Sequence, residues 1–309
     1  MVEKLSKIAF IFPGQGAQYV GMAQDFYDSY EESRQVFEEA EDTLSMNIKD
    51  LCFIENEQLH ITEFTQIAML TACTAILRQV EHLGIKADVT AGLSLGQYPA
   101  LVANQVFPFA DAAKVVKMRG KLMQEAVPTG VGSMAAVLGL SEELTLKICE
   151  QTSGIVTVAN YNCPGQIVIS GEKKAVEDAS ILIKEAGAKR VLPLNVSGPF
   201  HSPMLTGAGE ALKKVLEPIS IHKPIIPYVD NTNATYIYEE DTIKELLAKQ
   251  VYSSVMWQQS VENMIQNGVD TFIEIGPGKT LASFVKKISK DCKTINIEKV
   301  TDLDKLQEV

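Results

Sequence analysis

Apolar and polar positions along this chain switch repeatedly between two periods. Residues 8–12 form a short, unbroken apolar run, as strands buried on both faces do, and residues 89–92 are also strand-like. Between them, residues 30–44 and 67–83 carry helical spacing. Strand-like segments at 225–229 and 272–275, with helices around 261–267 and after Pro277, continue the alternation. Such alternation predicts a largely parallel sheet covered by helices.

The middle of the chain has a different order. A strand over 133–140 leads to a helix opened by Ser141, Glu142 and Glu143, then a strand over 155–160, a turn at Cys163, Pro164 and Gly165, and a strand from 166 to 170. A helix over 174–186 and a strand over 189–196 complete the series β, α, β, β, α, β, which is the ferredoxin-like unit. The expected organisation is therefore an α/β chain of two parts: a large subdomain from residues 1–129 and 199–309, and a ferredoxin-like subdomain over 130–198 bounded by Gly130, Gly132, Gly198 and Pro199.

Composition narrows the function. With 309 residues and 46% hydrophobic content there is ample core material, and a net charge of -11 argues against nucleic acid or an anionic membrane as partner. No apolar run is long enough for a signal peptide or a membrane span, so a cytoplasmic location is expected. Cys52, Cys73, Cys149, Cys163 and Cys292 are scattered without metal-ligand spacing and read as reduced.

The strongest chemical signal is Gly92, Leu93, Ser94, Leu95, Gly96, a GxSxG sequence between a strand and a helix over 97–104. That context makes a nucleophile elbow, although a bare GxSxG also arises by accident. Ser94 would sit at a helix N-terminus that favours negative charge. Of four histidines, His60, His82 and His222 look structural or exposed, whereas His201 stands in the rigid loop Gly198, Pro199, Phe200, His201, Ser202, Pro203. Arg119 lies on the apolar stripe of a helix over 109–126 with Ala112, Val115, Val116, Leu122 and Met123, so its guanidinium points inward. It must meet either a bound carboxylate or phosphate, or an internal Asp or Glu. Two other motifs fail: the P-loop-like end Gly276, Pro277, Gly278, Lys279, Thr280 has Ile273 where the first glycine belongs, and the dinucleotide-like Gly14, Gln15, Gly16 has Tyr19 in the third glycine's place.

In order along the chain, PGQGAQ (13–18), GLSLGQY (92–98), Met118, Arg119, Gly120, NYNCPGQ (160–166), GPFHS (198–202), Gln250 and Gly276 to Gly278 resemble the malonyl-CoA:acyl carrier protein transacylase family. The resemblance implies an α/β-hydrolase-like large subdomain with an inserted ferredoxin-like one. It implies Ser94 as nucleophile, His201 as general base and acid, Arg119 as clamp for the malonyl carboxylate, the amides of Gln15 and Leu95 as oxyanion donors, and Gln250 as the residue whose carbonyl orients His201. Asn160 and Asn162 are implied as substrate-binding. Malonyl-CoA and acyl carrier protein are the implied substrates, with no metal or redox cofactor, and a monomer is expected. The family's elbow usually reads GHSLGE, so Leu93 and Gln97 depart from it. Phe200 beside His201 resembles the malonyl-selective form. A stand-alone chain leans towards fatty-acid rather than polyketide synthesis; a serine acyl hydrolase and a carrier-binding scaffold are the other readings. Acyl carrier proteins as a family are acidic, so a basic patch must offset the charge of this chain; Lys189 with Arg190, and Lys286 with Lys287, are the candidates.

Overall fold

The structure, a computed structural model, describes residues 6–308. Ten strands form among them in chain order: β1 (Lys7–Phe12), β2 (Val89–Gly92), β3 (Gly132–Leu138), β4 (Val156–Cys163), β5 (Gln166–Glu172), β6 (Arg190–Pro193), β7 (Tyr228–Val229), β8 (Tyr236–Ile237), β9 (Val269–Ile275) and β10 (Lys293–Ile297). Six of them make one sheet in the order β10-β9-β1-β2-β7-β8, parallel except for the β7–β8 pair. In β1, Phe10 and Phe12 enter one apolar core while Ala9 and Ile11 enter another, which is why its sequence shows no polar alternation. The first core is covered by the helices Thr62–His82 and Phe109–Glu125, the second by Trp257–Gln266 and Thr280–Ile288. No helix among the described residues is long and apolar enough to cross a membrane.

The other four strands form a separate antiparallel sheet, β4-β5-β3-β6. Helices Glu142–Gln151 and Lys173–Glu185 cover one face, where Val137, Val158, Ile169, Ile148, Val176 and Ile183 share a third core. The opposite face, through Met134, Ala136, Asn160, Asn162 and Val168, roofs a cleft over the large sheet. The two-residue period of a strand thus gives each face its own task.

Several elements end elsewhere than the apolar pattern predicts. The helix expected from residue 67 begins at Thr62, because Thr62, Thr65 and Gln66 are buried polar residues that interrupt the hydrophobic period without interrupting the helix. The strand expected over 225–229 shrinks to Tyr228–Val229, behind Pro224 and Pro227, which cannot donate to a ladder. Likewise β6 closes at Pro193, and β3 stops before Gly139, whose φ of 79° turns its N–H to the Gly165 carbonyl at 2.8 Å.

Candidate active site

The elbow is shaped by close backbone approaches. A Cβ on Gly92 would lie 1.9 Å from the Gly96 carbonyl, and one on Gly96 would lie 2.0 Å from the Phe12 oxygen, so neither position admits a side chain. Between them Ser94 is held at φ 53°, in the left-handed region. His201 is also left-handed, at φ 57°, in a loop pinned by His201 N–H to Val251 O at 3.2 Å and Ser202 Oγ to Pro199 O at 2.6 Å. Each such residue costs about 1–2 kcal/mol. Here the two strained residues face each other.

Ser94 Oγ lies 2.7 Å from His201 Nε2, and His201 Nδ1 lies 2.8 Å from the carbonyl oxygen of Gln250. A carbonyl only accepts, so Nδ1 carries the proton and Nε2 presents its lone pair to the serine hydroxyl. Burial, and then the nearby Arg119 charge, push the pKa of His201 down to about 4, so the ring is neutral near pH 7.

Arg119 is fully buried. Its Nη1 donates to Gln66 Oε1 at 2.7 Å, and its Nη2 to Gln250 Oε1 at 3.0 Å and to Ser94 Oγ at 3.2 Å. The alternative of an internal Asp or Glu partner is therefore overturned: its hydrogen-bond partners are two amides and the serine. Burial lowers its pKa, opposed by Tyr98 alongside. Among the described residues the acceptors around this buried cation are neutral, which suits it to an incoming carboxylate.

The cleft above Ser94 measures about 290 Å³. It lies at the carboxyl ends of β1, β2 and β9, where the connections leaving β1 and β9 diverge, as binding crevices in parallel sheets do. Gln15, Leu95, Asn160, Asn162 and Phe200 all line it. The Gln15 side chain is tied to Thr62 Oγ1 at 3.0 Å. The Ser94 N–H is taken by Asn231 Oδ1 at 2.7 Å, which makes it unavailable to substrate. His60, His82 and His222 are exposed. Lys189 and Arg190 are exposed where β6 begins, and the chain reaches the cleft at Leu194 and Val196. Lys287 touches the rim directly, its Nζ 3.1 Å from Oε1 of the cleft residue Gln166.

Sequence reasoning missed Asn231, Asp230 and Gln66. The first two stand at the carboxyl end of β7, beside β2, a place that a correct strand boundary would have marked. Gln66 gave no signal, being one polar residue within a largely apolar helix.

The fold is that of an acyltransferase, with Ser94, His201 and Arg119 brought together at its cleft, and the model of the acyl transferase domain matches residues 9–306. Within that class the chain belongs to the malonyl CoA-acyl carrier protein transacylase family. The malonyl CoA-acyl carrier protein transacylase of Bacillus subtilis (strain 168) is 46% identical over 297 residues, 95% of this chain and 94% of that protein. The crystal structure of the Clostridium perfringens ATCC 13124 transacylase superposes with a TM-score of 0.95 at 47% identity, covering 98% of this chain and 96% of the other. A malonyl-transacylase solved in complex with its type II PKS acyl-carrier protein reaches the same TM-score at 39% identity, covering 98% and 99%.

Proposed function

We propose that this chain moves a malonyl group from malonyl-CoA to the phosphopantetheine thiol of an acyl carrier protein through a malonyl ester on Ser94, supplying fatty-acid elongation. One observation carries the reading: a single oxygen, Ser94 Oγ, lies 2.7 Å from a lone pair of neutral His201 and 3.2 Å from buried Arg119. His201 Nε2 takes the Ser94 proton as Oγ attacks the thioester carbonyl. The amides of Gln15 and Leu95 hold the oxyanion, Ser94 N–H being engaged elsewhere. As the C–S bond breaks, the departing coenzyme A sulfur takes the proton from His201. The carrier thiol then gives its proton to His201, attacks the ester and regenerates Ser94. Arg119 grips the malonyl carboxylate throughout, the Gln250 carbonyl keeps His201 in the required tautomer, and Asn160 and Asn162 contact substrate from the roof. These steps need no metal or redox cofactor.

In this reading residues 1–129 and 199–309 form the catalytic subdomain and 130–198 the ferredoxin-like roof, with Lys189 and Arg190 docking the carrier. The protein acts as a monomer in the cytoplasm; its unpaired cysteines, four of them buried, suit a reducing compartment. A polyketide carrier is the second reading, favoured by the 39% identical relative in complex with such a carrier. Intact-mass measurement after separate mixing with malonyl-CoA, methylmalonyl-CoA and acetyl-CoA tests the assignment. A malonyl adduct is expected, absent from Ser94→Ala; an adduct persisting in that variant refutes it.

A further inference from the structure

Behind the elbow lies a group of buried polar side chains that the reaction steps leave unused. Gln97, Asp230 and Asn231 are all fully buried. Gln97 Nε2 donates to Asp230 Oδ1 at 3.2 Å, while its Oε1 accepts from Gln250 Nε2 at 2.9 Å and from the Asn231 N–H at 3.3 Å. Asp230 Oδ2 accepts from the N–H and the hydroxyl of Thr232, at 2.7 and 2.6 Å. Asn231 accepts from Ser94 N–H and Gln250 Nε2 on Oδ1, at 2.7 and 3.0 Å, and donates to Gly92 O at 2.8 Å. Every contact has a defined sense. Thr232 donates twice to Asp230 Oδ2, and Asp230 Oδ1 receives the amino end of Gln97; the carbonyl end of Gln97 then receives the amino end of Gln250, which leaves Gln250 Oε1 facing Arg119. The Gln97–Asp230 contact has room for one carboxylate. Two would repel unless they shared a proton, and two amides would lose the fixed sense.

We infer that Asp230 is a positioning residue for malonyl transfer, whose carboxylate acts through Gln97 to brace Gln250 and Asn231 and thereby set Arg119 and Ser94. The inference rests on the malonyl-transfer reading above, and an exchange experiment tests it. In Asp230→Asn, Thr232 claims the new amide oxygen, so the new amino group meets the amino group of Gln97. In Gln97→Glu, two acceptors meet. In the double variant Gln97→Glu/Asp230→Asn every donor again meets an acceptor, the 97–230 bond now running in the opposite sense: the carboxylate at position 97 accepts from the amide at 230, from Gln250 and from the Asn231 N–H.

The measurement is single-turnover acylation of Ser94 by malonyl-CoA and by acetyl-CoA, with a pH profile and a thermal unfolding curve for each variant. Each single variant is expected to lose about tenfold or more in kcat/KM for malonyl-CoA, and part of its preference over acetyl-CoA. The double variant is expected within about threefold of wild type. Gln97→Glu should also lose activity as pH rises and the shared proton leaves. The limb is read as the difference from the wild-type profile, because the titratable groups around the pair are common to both proteins: burial pushes Tyr228 and Tyr98 up, Tyr98 to about 12, and pushes His201 and Arg119 down. Single variants that match wild type, or a double variant no better than the worse single, overturn the inference. If Asp230→Asn does not fold, the alkaline limb of Gln97→Glu and its disappearance in the double variant decide the matter. A wild type that takes no malonyl group overturns the functional reading and this inference together; an active wild type without rescue overturns the inference alone.

Discussion

At the scale of single residues, the proposed reaction turns on two buried basic side chains of opposite habit. His201 is neutral because burial and Arg119 both disfavour its charged form. The acid limb of kcat/KM for malonyl-CoA is therefore expected near 4 in the free enzyme, rather than at the 6.5 of an ordinary histidine. Once a malonyl carboxylate neutralises Arg119, the histidine is relieved of that repulsion. Single-turnover acylation at saturating malonyl-CoA should show its limb at higher pH than kcat/KM does; coincident limbs would mean that Arg119 does not meet the substrate carboxylate. The same shift affects stability. The unfolded chain binds the His201 proton more readily, so this contribution is full above 6.5 and declines as pH falls towards 4. In the proposed reaction Arg119 stays charged, and besides Ser94 its partners are two amides. Arg119→Ala is accordingly expected to fold and to lose malonyl-over-acetyl discrimination by about tenfold or more, the worth of a charge-assisted pair; unchanged discrimination in competition assays would reassign the clamp. Ser94, His201 and Arg119 were legible in the sequence because each breaks a local rule. Asn231 and Gln66 break none, since a buried amide is recognised only by what surrounds it.

At the scale of elements, the wall of the cleft hangs on one carboxylate. The helix Thr280–Ile288 contributes Thr280, Leu281 and Phe284 to the cleft, and its first turn is held by Glu274 of β9, which accepts from the N–H groups of Leu281 and Ala282 at 3.0 and 2.7 Å. Burial raises the Glu274 pKa to about 7, against the pull of those two N–H groups. The sign is opposite to that of His201. A folded-state pKa above 4.5 means that the native protein holds a proton the unfolded chain gives up, so this contribution is lost as pH rises from 4.5 through about 7. Glu274→Gln keeps one acceptor and cannot ionise. Its stability relative to wild type, from urea unfolding, is expected to be more favourable at about pH 8 than at about pH 5; a difference independent of pH would show that Glu274 does not titrate in this range. Elements themselves were readable where periodicity was clean, as in β1 and the ferredoxin-like series. They were misread where polar residues are buried, as at Thr62 to Gln66, or where prolines truncate a strand, as at Tyr228–Val229.

At the scale of the molecule, a net charge of -11 opposes any acidic partner, so recognition of a carrier protein has to be local. Lys189 and Arg190 are exposed where β6 begins, and the chain lines the cleft a few residues later at Leu194 and Val196. Lys287 approaches the same cleft from the large sheet's side, through Gln166 on the roof. A carrier docked between these groups would have its arm directed at Ser94, with basic charge on both subdomains. Charge reversal at Lys189 and Arg190 is then expected to raise KM for the carrier protein and to flatten the dependence of transfer on ionic strength, since steering is what salt screens. Acylation by malonyl-CoA, measured separately, should be nearly unchanged, because these side chains do not line the cleft. Transfer to free pantetheine should be unaffected too, as a small thiol has no acidic surface to steer. If carrier transfer keeps its rate and salt dependence in Lys189→Glu/Arg190→Glu but loses them in Lys287→Glu, docking is borne by the helix Thr280–Ile288 and the roof contributes only its inner face.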